Sequence, residues 1–303
     1  MPKNQKQVEN TEEKTFSLIS NEKLLAIYAA MLRCRLLEQR ATALFQHGKL
    51  DSDLHVSSGL EATAVAAAID LEQADTLCLA PNDWLPAFVK GMSLDALFRA
   101  LAPSSVKSTG STQIEAEHKN ILFDSGKADA QKTILDRASE ASETKNEAVA
   151  AAFIPSGASP LAQWQKTIQT AGTKRLPVVF VHYSDPADAP SSASPLKPEA
   201  LLHGVPSITV DARDPVAVYR VAYEAIVRAR QLRGATVLEC MIDSQPPSLG
   251  GARSHDLQSA ASDPVAAMES YLKSKNIEPD IDNQELISSF SRDLDLATRF
   301  IDR

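Results

Sequence analysis

Apolar and polar positions alternate along this chain in two periods. From residue 21 a helical period dominates: "NEKLLAIYAAMLRCRLLEQRATALFQH" places Leu25, Tyr28, Leu32, Leu36 and Leu44 on one stripe. Ser20 is its expected cap, and Gly48 its left-handed stop. A loop carrying His55 leads to "GLEATAVAAAID", an alanine-rich helix whose small side chains allow close packing. "TLCLA" reads as a short buried strand, 84–89 as a helix stopped at Gly91, and "LDALFRALA" as a helix capped by Ser93. Residues 103–120 are polar and aperiodic and read as a surface connection, followed by a mixed helix near 128–145.

Beyond residue 148 the period changes. "AVAAAFI", "LPVVFVHY", "SITVDA" and "ATVLECMID" are short apolar runs that read as buried strands. Helices separate them. One runs from Pro160 to Ala171 with Gly172 just past its end. Another starts at Pro215 behind the cap Asp214, with Val218, Ala222, Ala225, Ile226 and Ala229 on its inner face. Strands alternating with helices imply right-handed crossovers and a mainly parallel, doubly wound α/β sheet covered on both faces. Such sheets bind ligands beyond the carboxyl ends of their strands, so the turns after Ile154, Tyr183 and Asp243 are the ones to inspect. The turn "IPSGASP" has a strand end, a glycine and a helix start, an arrangement that presents backbone N–H groups to an anion.

Composition narrows the class. Of 303 residues, 44% are apolar, enough for a large core, and the net charge is −8. An acidic chain without clustered Lys and Arg is not built for nucleic acid. Cys34, Cys78 and Cys240 are widely spaced in apolar surroundings, read as buried free thiols of a cytoplasmic protein and show no metal spacing. The polar start "MPKNQKQVENTEEKT" has no apolar signal core, and no apolar run reaches membrane-helix length.

Four stretches, in order, resemble the α subunit of the thiamine-diphosphate-dependent 2-oxo acid dehydrogenases of the pyruvate or branched-chain type. They are "LLAIYAAMLRCRLLEQRATALFQHGKL"; "LHVSSGLEATAVAAA", with His55, Gly59, Glu61 and Ala62 in register; "KRLPVVFVHYSD"; and "GVPSITVDARDPVAVYRVAYEAIVRAR". The resemblance implies a thiamine-diphosphate-type doubly wound sheet over residues 20–275; the polar start at 1–19 reads as a disordered arm and 276–303 as a helical tail. It implies an oxidoreductase that decarboxylates a 2-oxo acid and passes the acyl group to a lipoyl carrier. It also implies a β-type subunit or self-association as partner, a lipoyl acyltransferase core beyond that, and no nucleic acid or membrane.

Thiamine diphosphate and Mg²⁺ are the implied cofactors, and here the chain departs from the pattern. The family aspartate of a Gly-Asp-Gly turn falls on Ser156, beside Gly157, and the metal-binding asparagine falls on Asp185. These three are the implied cofactor positions, with Asp185 the metal candidate. The Tyr-Arg pair before an Asp-His reads Pro81, Asn82, Asp83 and Trp84, and Pro246 and Ser248 stand where histidines are expected. His55 is either a donor near the substrate, as its counterpart is placed to be, or a loop-stabilising histidine. Glu61 lies either near the subunit interface or on the first turn of its helix as a complement to the dipole. The substitutions open an alternative, a catalytically degenerate α-like subunit that acts as a binding or scaffolding partner.

Overall fold

A computed structural model describes residues 19–50, 60–80, 83–102, 120–124, 129–155, 161–183, 200–201, 203–241, 263–278 and 282–301. Its centre is a six-stranded sheet in which every pairing is parallel: β1 (Thr76–Leu79), β2 (Ile121–Phe123), β3 (Ala150–Pro155), β4 (Val178–Tyr183), β5 (Ser207–Asp211) and β6 (Thr236–Met241). Their order is β2-β1-β3-β4-β6-β5. β4 lies between β3 and β6 and is buried along its whole length. The doubly wound α/β expectation is borne out.

Alternation along the strands divides the interior into two cores. Val179, Val181 and Tyr183 of β4 join Phe153, Leu238 and Cys240 on one face. Val178 and Phe180 join Ala150, Ala152, Ile154 and Val237 on the other. The first face is covered by α1 (Asn21–Gln46), α2 (Glu61–Ala68), α3 (Leu85–Val89), α4 (Leu94–Leu101), α7 (Pro215–Arg230), α8 (Pro264–Ser274) and α9 (Asn283–Thr298). The second is covered by α5 (Asp129–Thr144) and α6 (Leu161–Lys174), whose Ile134, Ala138, Trp164 and Ile168 lie against the alanines of β3. Trp164 meets Phe180 edge-on and belongs to this core.

The caps agree with the sequence. Ser20, Ser93 and Asp214 each accept backbone N–H groups at their helix starts, and Gly48 and Gly91 take positive φ. The inner face of α7 is the predicted one. The stripe of α1 is not. Leu24, Ile27, Tyr28, Met31, Cys34, Leu37, Glu38, Ala41 and Leu44 are buried, while Leu25, Leu32 and Leu36 lie at its margin. α1 packs against α2, α3, α8 and α9 together, so its buried arc is broader than and rotated from a single leucine stripe.

Gly172 is also placed differently. It lies inside α6, which runs on to Lys174, and Arg175 supplies the positive φ after it. The glycine serves a close approach instead: a Cβ there would stand 2.6 Å from Val205 Cγ2 and 3.2 Å from the His203 carbonyl oxygen. Gly172→Ala is therefore expected to cost about 2 kcal/mol, measured by chemical denaturation, with an unchanged m-value. A loss within 0.5 kcal/mol, about the size of an ordinary surface change, would show that α6 slides away freely.

At the amino end of the sheet, Asp75 is fully buried and saturated. It accepts the backbone N–H of Glu72 at 2.7 Å and of Val149 at 2.9 Å, and a two-pronged contact from Arg230 at 2.6 and 3.0 Å. One carboxylate thus joins the α2–β1 connection, the start of β3 and the last turn of α7.

Candidate active site

Among the described residues two carboxylates, Asp83 and Asp124, lie just past the carboxyl ends of β1 and β2. Asp83 follows β1, and its carboxylate accepts a short hydrogen bond from the hydroxyl of Tyr183, the last residue of β4. Asp124 follows β2; it is buried and accepts from the side-chain amide of Gln131 at 2.9 Å. Trp84, at the start of α3, lies against Phe123 at the end of β2, with ring centroids 4.3 Å apart. The indole N–H of Trp84 is buried and has no hydrogen-bond partner. A buried N–H left unmade costs on the order of 1–3 kcal/mol.

Beside them Arg35 of α1 spans three elements. Its Nε and Nη2 donate to one oxygen of Glu61, the first residue of α2, at 3.0 and 2.9 Å. Its Nη1 and Nη2 donate to both oxygens of Asp263 at 2.9 and 2.7 Å. Asp263 in turn caps α8. Burial opposes the charge on Arg35, but the hydrogen bonds of Asp263 and the charge of Glu61 outweigh it and raise its pKa. The same hydrogen bonds hold the Asp263 carboxyl below its ordinary value. Glu61 is only 2% exposed, so its reading as a residue of the helix's first turn is fulfilled by an ion pair rather than by the dipole alone.

Glu38 lies one turn further along α1 and is 8% exposed. Its carboxyl makes no hydrogen bond among the described residues. Burial, then the charge of Glu61, raise its pKa to about 9; Arg35 opposes this and Asp83 adds to it. Glu38 is therefore a neutral acid at pH 7. The stripe read from the sequence runs through Leu25, Leu32 and Leu36 and leaves Glu38 off the buried face, so the pattern carries no signal for it.

On the other face of the sheet His182 and Glu239 are cross-strand partners in the β4–β6 register, with Nδ1 and Oε2 2.8 Å apart. His182 is a packed, hydrogen-bonded strand residue, as its position in an apolar run suggested. The three cysteines are buried free thiols. Burial pushes Cys240 up to about 12 and raises Cys34 and Cys78 as well, so none is a nucleophile.

His55, Ser156, Gly157 and Asp185 lie outside the described residues. So do the turns after β3, β4 and β6. The structure instead joins Arg35 to Glu61 and Tyr183 to Asp83, with Glu38 under the influence of all the charges among them; sequence reasoning singles out Glu61 and Asp83 but not Arg35 or Glu38. Among the described residues, no group of three or more His, Cys, Asp or Glu is arranged to hold a metal ion, and no helix is long and apolar enough to cross a membrane.

Comparison with known proteins places relatives along most of the chain. A family model described as "Dehydrogenase E1 component" matches residues 29–297. The α subunit of acetoin:2,6-dichlorophenolindophenol oxidoreductase from Bacillus subtilis (strain 168) is 29% identical over 236 residues, covering 74% of this chain and 70% of the relative. The chloroplastic pyruvate dehydrogenase E1 component subunit alpha-3 of Arabidopsis thaliana is 24% identical over 312 residues, covering 95% and 73%. Among solved structures, a putative thiamin diphosphate-dependent enzyme isolated from Mycobacterium smegmatis matches with a TM-score of 0.39 and 15% identity. That match covers 59% of this chain and 31% of the other.

Proposed function

The chain belongs to the dehydrogenase E1 component family, and from that premise we propose that it is the α subunit of an E1-type assembly that oxidatively decarboxylates a 2-oxo acid. The observation that carries this reading is the family match across residues 29–297, which takes in every strand of the sheet and all but the ends of α1 and α9. Thiamine diphosphate is the cofactor of this family. In the proposal a β-type subunit completes the site, and the acyl product passes to a lipoyl group on an acyltransferase core.

The donor chemistry of this chain does not fit a magnesium ion of the usual kind. Asp83 is committed to Tyr183 and Asp124 to Gln131. The metal falls to Asp185 and Ser156, one carboxylate and one hydroxyl, where Mg²⁺ prefers a near-octahedral set of hard oxygens. What the chain's own residues do supply is a frame: Arg35 holds the starts of α2 and α8 together, and Tyr183 fixes Asp83 at the strand ends.

The test is calorimetry of thiamine diphosphate with Mg²⁺ into the chain copurified with its β-type subunit, followed by pyruvate- or acetoin-dependent reduction of 2,6-dichlorophenolindophenol. Weak, Mg²⁺-dependent binding and turnover are expected. Ser156→Asp is expected to tighten the Mg²⁺-dependent binding by about tenfold, the effect of one added charge-assisted ligand. No heat at millimolar cofactor in the assembled complex would leave a scaffolding subunit and end the enzymatic reading.

A further inference from the structure

The strand order places β3 between β1 and β4. The hydrogen bond from the Tyr183 hydroxyl to Asp83 joins the last residue of β4 to the segment that follows β1. It therefore runs from one neighbour of β3 to the other. It crosses β3 at its carboxyl end, because Tyr183 lies in register with Pro155, the last residue of that strand. Ser156 and Gly157, which match the family's diphosphate turn, come next in the chain. Ligands of such sheets enter at this end, where anions meet backbone N–H groups. Both ends of the bridge are held. Asp83 donates its backbone N–H to the Ala80 carbonyl at 3.1 Å, and its neighbour Trp84 packs on Phe123 at the end of β2. Tyr183 is 6% exposed and belongs to the first core.

We infer that Tyr183 and Asp83 form a pair that limits affinity for a diphosphate: Tyr183 holds the Asp83 carboxylate across the end of β3, where its charge opposes a polyanion. The inference rests on the proposed α-subunit function and deepens it, naming the residues that weaken cofactor binding beyond the missing metal ligand. Asp83 is the group whose charge acts on the anion, and Tyr183 is a positioning residue that acts through it. In the family pattern an arginine stands directly before this aspartate. Here that place is Asn82, so neither chain neighbour of Asp83 is a cation. Two like charges about 8 Å apart in a crevice of intermediate dielectric cost about tenfold in affinity or more.

The probes are inorganic pyrophosphate and thiamine diphosphate, each with Mg²⁺, and thiamine, which lacks the anion. They are titrated calorimetrically into the full chain, alone and copurified with its β-type subunit. Asp83→Asn removes the charge and keeps an acceptor for the Tyr183 hydroxyl. It is expected to tighten both diphosphate probes by about tenfold and thiamine not at all. Tyr183→Phe keeps the ring in the core and releases the carboxylate, for an expected gain of about threefold. In the Asp83→Asn background Tyr183→Phe should add nothing, because the charge it held is gone. Asp83→Ser, with its urea midpoint as the check on folding, should gain as much as Asp83→Asn.

Equal pyrophosphate affinity in the wild type and Asp83→Asn would overturn the proposal. So would a gain shared by thiamine, a Tyr183→Phe gain that adds in full to that of Asp83→Asn, or no pyrophosphate binding in any variant. Failure of the α-subunit reading itself shows separately, as absence of a copurifying β-type subunit and of dye reduction, since pyrophosphate binding to the chain is read without either.

Discussion

Arg35→Met should lower the stability of the protein by about 3–4 kcal/mol, seen as a fall in the urea midpoint with an unchanged m-value. The size follows from what is left behind. Glu61 is almost fully buried and takes two of its hydrogen bonds from Arg35; Asp263 takes two more. Methionine fills the volume of the aliphatic stem but answers none of the four bonds. The dominant cost is the loss of the opposite charge and two hydrogen bonds at the buried carboxylate of Glu61, since Asp263 is about a third exposed and recovers water. Adding Glu61→Gln should therefore recover more than half of the loss. Arg35→Lys should recover little, because one ammonium cannot serve two carboxylates in a planar fork. A loss below about 1 kcal/mol for Arg35→Met would mean that these carboxylates are wetter than their burial implies.

The second large effect is a pH dependence. Glu38 has an ordinary pKa near 4.5 and is raised by burial and Glu61 to about 9. Between those values the folded protein keeps a proton that the unfolded chain releases, so stability falls as pH rises through that window and levels off above it. At low pH the residue costs nothing. Glu38→Gln does not titrate, so it should match the wild type near pH 4.5 and exceed it by on the order of 5 kcal/mol at pH 8. In thermal unfolding this is a gain of about 10 °C at pH 8. Parallel curves for the two proteins from pH 5 to pH 8 would show that Glu38 is ionised in the fold. The two effects are coupled, because Arg35 is the group that lowers the Glu38 pKa. In Arg35→Met the pH window should widen upward.

Much of the fold was legible because its signals are local. The capping serines, the Asp214 start of α7 and the apolar runs of β3, β4 and β6 each follow from neighbours within a few residues. β2 was missed: three half-buried edge residues beside a polar stretch give no periodicity to read. The α1 stripe was rotated because four partner helices, not one, decide what is buried. Gly172 was taken as a stop because a helix-ending glycine and a glycine of close approach look alike until the opposing segment, 203–205, is in place.

The candidate site was legible only as a location. Strand ends follow from the order of elements, and the resemblance gave the positions Ser156, Gly157 and Asp185. The pairing of Arg35 with Asp263, 228 residues apart, has no sequence signature, nor does Tyr183 with Asp83. Only folding brings such groups together, and only burial turns Glu38 from an ordinary surface-type residue into a neutral acid.

The strand order also governs assembly during synthesis. Among the described strands β5 lies at one edge of the sheet, and its one neighbour there is β6, which comes later in the chain. When residues 207–211 leave the ribosome, their native neighbour, residues 236–241, has not yet been made, and the place beside β4 is not theirs in the finished sheet. β5 must wait, with its ladder groups unanswered, until α7 and β6 have followed. The nascent chain thus passes through a stage in which the β4 edge is open and one completed strand has no place to dock. That interval is where chaperone binding, or mispairing between neighbouring chains, is expected to concentrate.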